Sequence, residues 1–426
     1  MFYELNSDKL MIPASVLKLV TSAAALEILG PDYRFQTRLG YQGNIENGIL
    51  KGDLIVIGGG DPALGSEYFP NHYFAPHFLE AWAASVKSAG INKVEGRLIT
   101  DISLYNSEQI PPTWTWEDMG NYYGAGPNAL TVYDNLSRVS FQSPPAAGMP
   151  TTLLSVRPPL KDIHWTNEVL SSDILRDLAY VFGSPIDNKR VIRGTIPKNR
   201  RIFTIKASNP HPEKLLADEF LNFLSSAGIF ITGSITSEKV SPADFRQIAV
   251  LESPALAEIV KVLNQESVNL YAEHMVNQIA AELTGLGSRV AGLKIINDFW
   301  KDKGLDVGQL FMEDGSGLSH FNAASPRFVS SLLCYMKNSS TGFIPFYESL
   351  PAAGEGTLSM FNPGLFTKSS FRLKSGSMKR IRCYAGYINS ESGNDYTVVV
   401  IINHFSGSHT KLMMELEKLF TEIKNL

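Results

Sequence analysis

The spacing of apolar positions changes along the chain and outlines regions of different structure. Between Ser15 and Leu29 nearly every residue is apolar or small, with Pro13 just before this run and Gly30 just after it. Proline at the start and glycine past the end are typical of a helix, and apolar residues on all its sides predict that the helix is buried.

The stretch from about 32 to 245 has a more β-like pattern. Short runs in which apolar and polar residues alternate, such as 53–57 and 96–100, predict strands separated by turns rich in proline and glycine. Residues 140–206 carry the fewest helix signals. Helical patterns interrupt the stretch near 74–89 and 212–227.

From about 254 onward helical patterns dominate, and strands return near the end. The predicted helices are 254–263, 267–284, 287–302, 326–336 and 410–424. The predicted strands are 369–375, 381–388 and 395–404. We predict an α/β (α+β) fold in which an antiparallel sheet flanked by helices is built from both chain ends. The predicted domains are 1–31 with 246–426, an inserted domain II of 32–139 with 207–245, and a possible further inserted domain III of 140–206.

Composition and charge narrow the class of protein. The net charge of −4 argues against nucleic acid as a partner, because phosphate binding requires a basic surface. No run of about 18 apolar residues appears, so no integral membrane segment is predicted. Cys334 and Cys383 cannot form a disulfide scaffold or a zinc site, and we expect two buried free thiols. No metal site and no cofactor is predicted.

The first helix begins with the pattern Ser-x-x-Lys. Residues three apart lie on one helix face, so the Lys18 ammonium group can reach the Ser15 hydroxyl. A serine hydroxyl is a weak nucleophile until a base accepts its proton, and a desolvated lysine has a lowered pKa that suits this task. The helix N-terminus also favours a developing oxyanion. Ser15 and Lys18 are therefore predicted to be nucleophile and base.

Two further patterns fit the same chemistry. Ser267 and Asn269 fall at a predicted helix start, where the hydroxyl can relay a proton and the amide can hold the lysine and the substrate. Lys374 and Ser375 come at the end of a predicted strand, where they can bind a substrate carboxylate. Gly376 lets the substrate backbone lie close to this strand. The N–H groups of Ser377 and Ser15 are expected to form an oxyanion hole.

Each pattern also has a structural explanation. Ser408 with Lys411 gives a second Ser-x-x-Lys match, and Ser392 with Asn394 gives a second Ser-x-Asn match. A serine at a helix start is often an N-cap, and lysine is common on exposed edge strands. The order and the structural context of the three patterns nevertheless favour catalysis, and together they match penicillin-binding proteins and serine β-lactamases.

The chain resembles the three-domain, class C low-molecular-mass penicillin-binding proteins, which are D-alanyl-D-alanine carboxypeptidases and endopeptidases. The resemblance covers nearly the whole chain and includes the strings GGDPAL at 59–64, WTWEDM at 114–119 and DGSGLS at 314–319. The long gap between Ser15 and Ser267 also fits, because this class carries its extra domains there. The fold implied is a penicillin-binding or serine β-lactamase-like domain with a β-rich inserted region.

The resemblance implies peptidoglycan stem peptides as substrates and β-lactam antibiotics as covalent inhibitors. Asp118 matches a family residue that contacts the free amino group of the substrate's diamino acid, although an aspartate in a turn can be purely structural. Tyr123 is expected to pack on the same substrate side chain. The predicted catalytic residues are Ser15, Lys18, Ser267 and Asn269, and the predicted substrate-binding residues are Lys374, Ser375, Ser377, Asp118 and Tyr123.

The N-terminus departs from the family pattern. Residues 1–5 resemble the end of a strand, and no signal-peptide pattern is present, whereas family members begin upstream with a signal peptide and a strand of the central sheet. We therefore expect a periplasmic or extracytoplasmic enzyme whose signal peptide and first strand are missing from this chain. The sheet would then have an exposed edge.

Two other functions stay open at this point. One is a β-lactamase or esterase of the same fold, and the other is a catalytically inactive wall-binding protein. Carboxypeptidase and endopeptidase activity fit the motifs equally. Basic residues that could contact anionic wall polymers, or that simply form a solvated hairpin face, are Lys189, Arg190, Arg193, Lys198, Arg200, Arg201 and Lys206.

Overall fold

A computed structural model describes residues 3–75 and 77–426. The chain divides into two compact units, one formed by Met1–Tyr33 with Ala255–Leu426 and the other by Arg34–Pro254. The first unit contains both chain ends. The domain boundaries inferred from sequence, including an inner domain at 140–206, stay predictions.

Both units combine α-helices with β-strands. The helices are α1 (Lys18–Ile28), α2 (Pro70–Tyr73), α3 (Phe78–Ser88), α4 (Trp116–Met119), α5 (Pro212–Ser226), α6 (Leu256–Gln265), α7 (Asn269–Thr284), α8 (Arg289–Asp302), α9 (Pro326–Ser339), α10 (Phe343–Ser349) and α11 (His409–Asn425). The strands are β1 (Gln36–Glu46), β2 (Ile49–Ile57), β3 (Lys93–Val94), β4 (Leu98–Asp101), β5 (Leu136–Ser143), β6 (Thr152–Arg157), β7 (His164–Ser172), β8 (Tyr180–Phe182), β9 (Lys189–Pro197), β10 (Arg200–Ser208), β11 (Phe230–Ile231), β12 (Ile235–Ser237), β13 (Arg246–Glu252), β14 (Leu310–Phe311), β15 (Ala323–Ala324), β16 (Phe371–Met378), β17 (Ile381–Asn389) and β18 (Asp395–Asn403).

The first unit is a three-stranded antiparallel sheet with helices packed against it. Its strand order is β16-β17-β18, and α9 and α11 pack on this sheet. An aromatic core that includes Phe361, Phe371 and Phe420 lies between the sheet and α11. Helix α1 contacts the helices α6 to α10. Its apolar side chains are therefore buried on all sides, as the sequence pattern predicts.

The first helix begins with a turn of 3₁₀-helix, whereas the sequence predicted a helix from Ser15 without this turn. Residues Ala14–Leu17 form a turn of 3₁₀-helix, and the α-helix begins only at Lys18. A 3₁₀-helix has about 3.0 residues per turn, so side chains three apart are eclipsed instead of offset. The Ser15 and Lys18 side chains consequently lie directly in line.

The second unit is built on a mixed sheet. Strand β1 pairs with β2 and with β13 in antiparallel orientation, while β3 and β4 pair with β2 in parallel. Two three-stranded sheets, β10-β5-β6 and β7-β9-β8, share a separate apolar core that includes Val139, Phe141 and Ile192. This core holds together the strands that run from Leu136 to Ser208.

Some details correct the sequence-based picture. Cys334 is exposed, and only Cys383 is buried, although both thiols are free. Of the strand end expected at 1–5, residues 3–5 form no strand, and Met1 and Phe2 lie outside the described residues. Among the described residues, no helix is both long enough and apolar enough to span a membrane.

Candidate active site

Ser15 and Lys18 meet at the buried end of the first helix. The Lys18 Nζ atom lies 2.9 Å from the Ser15 hydroxyl oxygen, and the Lys18 side chain is fully buried while Ser15 is half-buried. The preceding residue, Ala14, has a φ of 46°, which is uncommon for a residue other than glycine and typical of strained functional turns. The segment ahead of it is anchored because the Asn403 side chain bonds both the N–H and the carbonyl of Ile12.

The Lys18 amine has two further hydrogen-bond acceptors. Its Nζ lies 2.5 Å from Asn269 Oδ1 and 2.7 Å from the Ser316 carbonyl oxygen. Three acceptors match the three N–H groups of an ammonium. All three acceptors belong to motifs that the sequence singled out, since Ser15 is in the Ser-x-x-Lys pattern, Asn269 in the Ser-x-Asn pattern and Ser316 in the DGSGLS string.

Ser267 and Lys374 form a second serine–lysine pair in the same unit. The Lys374 Nζ atom donates to the Ser267 hydroxyl at 2.9 Å and to the Ser375 carbonyl at 2.8 Å. Ser267 is not the N-cap of α7, which is Val268; it has a left-handed φ of 60°. The backbone strain at this residue fits a functional position better than a simple cap.

The Lys-Ser-Gly-Ser segment lies inside a strand and not at its end. Strand β16 continues to Met378 because Ser375, Gly376 and Ser377 pair in register with Tyr384, Cys383 and Arg382 of β17. The hairpin turn comes later, at Arg380, whose φ is 61°.

Strand β16 lies against the turn that carries Ser15. A Cβ atom on Gly376 would lie 2.7 Å from the Pro13 carbonyl oxygen and 3.1 Å from the Ser15 nitrogen. Only glycine therefore permits this approach of strand to turn. The exposed Ser377 hydroxyl accepts a hydrogen bond from the Arg382 guanidinium, which adds positive charge to this end of the site.

Two buried carboxylates beside Lys18 were not identified as functional from the sequence. Glu273 accepts hydrogen bonds from the backbone N–H of Gly315 at 3.1 Å and of Ser316 at 2.8 Å. Asp314 accepts from the backbone N–H of Gly317 at 2.7 Å and of Ser319 at 2.6 Å. Both acids are almost fully buried and fix the loop that supplies the Ser316 carbonyl.

Burial shifts the protonation of this cluster. Desolvation lowers the pKa of Lys18 to about 7, and the carboxylates of Asp314 and Glu273 act in the opposite direction. The pKa of Lys374 is well below its usual range, mainly because the side chain is buried and also because the positive charge of Lys18 is near. The pKa of Glu273 is raised, mainly by burial and also by the negative charge of Asp314. Hydrogen bonds from Ser316 and Gly315 oppose this rise. Lys18 can therefore exist as a neutral amine near pH 7.

Asp118 and Tyr123 belong to the second unit. Asp118 Oδ2 accepts from the Thr115 hydroxyl at 2.7 Å and from the Thr115 backbone N–H at 3.2 Å, which closes a capping box at α4. Among the described residues, no hydrogen-bond donor contacts its Oδ1 atom. Burial raises the pKa of Tyr123, and the nearby Asp118 carboxylate adds to this effect.

The basic residues predicted to form one face are divided among different environments. Arg193 pairs with Glu168, Lys198 pairs with Asp173, and Arg190 is buried.

Within residues 3–75 and 77–426, no group of three or more histidine, cysteine or acidic side chains could hold a metal ion.

Taken together, the described geometry defines a class of enzyme. A serine hydroxyl contacts a buried amine of lowered pKa, a second hydroxyl contacts a second buried amine, and a glycine-containing strand lies beside the serine. This arrangement is typical of serine hydrolases that carry a lysine beside the serine.

Comparison with known proteins identifies the family. Residues 1–421 match the D-Ala-D-Ala carboxypeptidase 3 (S13) family, and the chain belongs to this family. It is 29% identical over 432 residues to a D-alanyl-D-alanine carboxypeptidase of Actinomadura sp. (strain R39), a match that covers 95% of this chain and 76% of the relative. The predicted family and the predicted serine D-Ala-D-Ala carboxypeptidase activity are thereby confirmed.

Solved structures confirm the fold class. The crystal structure of penicillin binding protein 4 (dacB) from Haemophilus influenzae matches with a TM-score of 0.85 and 23% identity, covering 100% of this chain and 94% of that chain. The same protein complexed with a β-lactam matches with a TM-score of 0.79 and 23% identity, covering 100% of this chain and 93% of that chain. The roles of individual site residues stay predictions.

Proposed function

We propose that this chain cleaves the D-Ala-D-Ala bond of peptidoglycan stem peptides outside the cytoplasm, through an acyl-enzyme on Ser15. The observation that carries the proposal is the 2.9 Å contact between the Ser15 hydroxyl and the fully buried Lys18 amine. The family match supports the substrate class, and the complex of the Haemophilus protein with a β-lactam supports β-lactams as ligands of this site.

The first half-reaction begins with proton transfer from Ser15 to the neutral Lys18 amine. The Ser15 oxygen attacks the carbonyl carbon of the penultimate D-alanine, and the carbonyl oxygen becomes an oxyanion. The N–H groups of Ser15 and Ser377 are the proposed donors to this oxyanion, and the Arg382 guanidinium adds a favourable charge nearby.

The second step expels the leaving amine. The C–N bond breaks as the nitrogen receives a proton, which passes from the Lys18 ammonium through the Ser267 hydroxyl. The contact between Ser267 and the Lys374 amine supports this relay role. Lys374 and Ser375 bind the carboxylate of the leaving residue. Water then attacks the ester carbonyl as Lys18 accepts its proton, and Lys18 passes this proton to the Ser15 oxygen as the ester bond breaks and the peptide acid leaves.

The proposal is tested by incubating the chain with a stem pentapeptide and, separately, with benzylpenicillin. We expect release of one D-alanine per peptide and a stable mass adduct of one penicillin per chain. A well-folded chain that gives neither result would contradict the proposal. Rapid release of hydrolysed penicillin, with no lasting adduct and no D-alanine, would instead identify a β-lactamase.

We further propose that Asp118 binds the free amino group of the substrate's diamino acid. Asp118→Asn is expected to raise KM about tenfold for a peptide with a free side-chain amine, because a hydrogen bond to a charged group contributes about 1.5–3 kcal/mol. The matched peptide with an acetylated amine should be unaffected. Asparagine retains an oxygen for the Thr115 cap, so the fold at α4 should survive. Steady-state kinetics on both peptides measure the difference.

A neighbouring acid provides the control for this substitution. Glu117 is exposed and adjacent to Asp118, and Glu117→Gln removes a charge of the same sign without touching the capping box. It should leave the preference for the free amine intact. Equal losses on both peptides in Asp118→Asn would show that Asp118 acts only as a helix cap.

A further inference from the structure

The Lys18 amine must point its lone pair at Ser15 to act as a base. A neutral amine has two N–H groups and one lone pair. Asn269 Oδ1 at 2.5 Å and the Ser316 carbonyl at 2.7 Å can accept the two hydrogens, and the third direction then faces the Ser15 hydroxyl at 2.9 Å. The orientation of the base therefore depends on the positions of these two acceptors.

Helix α7 controls both acceptors. Asn269 and Glu273 are four residues apart and lie on the same helix face. Asn269 contacts Lys18 directly, whereas Glu273 accepts from the N–H groups of Gly315 and Ser316, in the two peptides that precede the one with the Ser316 carbonyl. Thr21 completes this support by donating to the Gly315 carbonyl at 2.7 Å.

Glu273 also contributes charge to the site. The charged groups that face Lys18 are Glu273 on α7, Asp314 in the loop and Lys374 on β16. Both Glu273 oxygens accept backbone N–H groups, which is the pattern expected for a carboxylate. Burial raises the pKa of Glu273, whereas these N–H groups favour its ionised form, and the ionised carboxylate favours the protonated form of Lys18.

We propose that Glu273 is a positioning residue for acylation: together with Asp314 it holds the loop that presents the Ser316 carbonyl to Lys18, and its charge affects the pH at which Lys18 becomes a base. This inference rests on the proposed function of Ser15 and Lys18. Asp314 accepts from the N–H of Gly317, which lies in the same planar peptide as the Ser316 carbonyl, so the two acids fix this carbonyl from its two sides.

Two substitutions separate the geometric role of Glu273 from its charge. Glu273→Leu removes the acceptor for the loop N–H groups, and we expect the acylation rate constant for benzylpenicillin to fall at least about tenfold, since small displacements of catalytic groups are costly. Binding of penicillin before acylation should change less than about threefold. Glu273→Gln keeps one oxygen for the N–H groups of Gly315 and Ser316 but loses the charge.

The pH profile of Glu273→Gln gives a readout that a purely structural role would not move. Loss of the negative charge lowers the pKa of Lys18, so the acid limb of acylation should shift by roughly 1 unit to lower pH. Time courses of adduct mass between about pH 5 and about pH 9 measure this limb. Glu282→Gln, an exposed acid on the same helix, is the control and should show the wild-type profile.

The outcomes distinguish this inference from the proposed function. Absence of an adduct on the wild-type chain contradicts the proposed function itself. Labelling of the wild-type chain together with an unchanged rate in folded Glu273→Leu contradicts the positioning role alone. An unmoved acid limb in Glu273→Gln contradicts the proposed effect of the Glu273 charge on Lys18, and this variant keeps that half of the proposal testable if Glu273→Leu does not fold by circular dichroism.

Discussion

Ser15→Ala is expected to abolish both D-alanine release and covalent labelling by benzylpenicillin. The acyl-enzyme requires an oxygen nucleophile, and within the described residues the Ser15 hydroxyl is the one that contacts Lys18. Removing a nucleophile of this kind can cost about 10⁶-fold in turnover, as in subtilisin. Intact-protein mass spectrometry after exposure to penicillin measures the adduct, and a D-alanine assay measures turnover.

The chain contains a matched control for this substitution. Ser408 and Lys411 repeat the Ser-x-x-Lys pattern, but Ser408 caps α11 by accepting from the Lys411 backbone N–H at 3.2 Å, and the Lys411 side chain is exposed. Ser408→Ala should cost about 1 kcal/mol in the free energy of unfolding and leave labelling at one penicillin per chain. A penicillin adduct on Ser15→Ala would show that another residue is the nucleophile.

The contrast between these two motifs shows what the sequence can predict. Spacing alone does not distinguish Ser15 from Ser408, since both begin a helix and precede a lysine by three positions. Burial does distinguish them, and the apolar run after Ser15 indicated burial in advance. The proposed nucleophile could therefore be singled out in the sequence because its helix has no polar face, whereas α11 has one.

Glu273 was harder to predict, although a signal was present. It is a charged residue in the middle of α7, a helix whose residues from Asn269 to Ala281 are buried. A buried carboxylate needs hydrogen-bond donors. Those donors come from a loop about forty residues later in the chain, and no local pattern connects the two. The DGSGLS string identified the loop as a family feature but did not indicate its contact.

The end of strand β16 also depends on contacts between distant segments that a local sequence pattern does not show. The sequence predicted that β16 ends at Ser375, because serine and glycine there weaken a strand pattern. Pairing with β17 extends it to Met378, and this pairing brings Gly376 against the turn that carries Ser15. The glycine that weakens the local pattern is thus required by a contact between distant segments.

Lys18→Met is expected to lower the acylation rate by about 10²–10⁴, the usual contribution of a positioned base. Methionine fills a similar volume, but it cannot accept the Ser15 proton. The pH profile supplies a second signature. Burial lowers the pKa of Lys18 to about 7, so the wild-type rate should rise as pH increases through about 7 and the amine loses its proton.

In Lys18→Met this acid limb should disappear, leaving a slow rate without a step near pH 7. Because the substitution leaves Asn269 Oδ1 and the Ser316 carbonyl without their donor, circular dichroism must show that the variant is folded. Lys411→Met, in the exposed second motif, is the control and should keep the wild-type rate and profile. If folded Lys18→Met kept the step and most of the rate, the base would be another group. Lys374 would then be the first to test, because it is the other buried amine in contact with a serine hydroxyl.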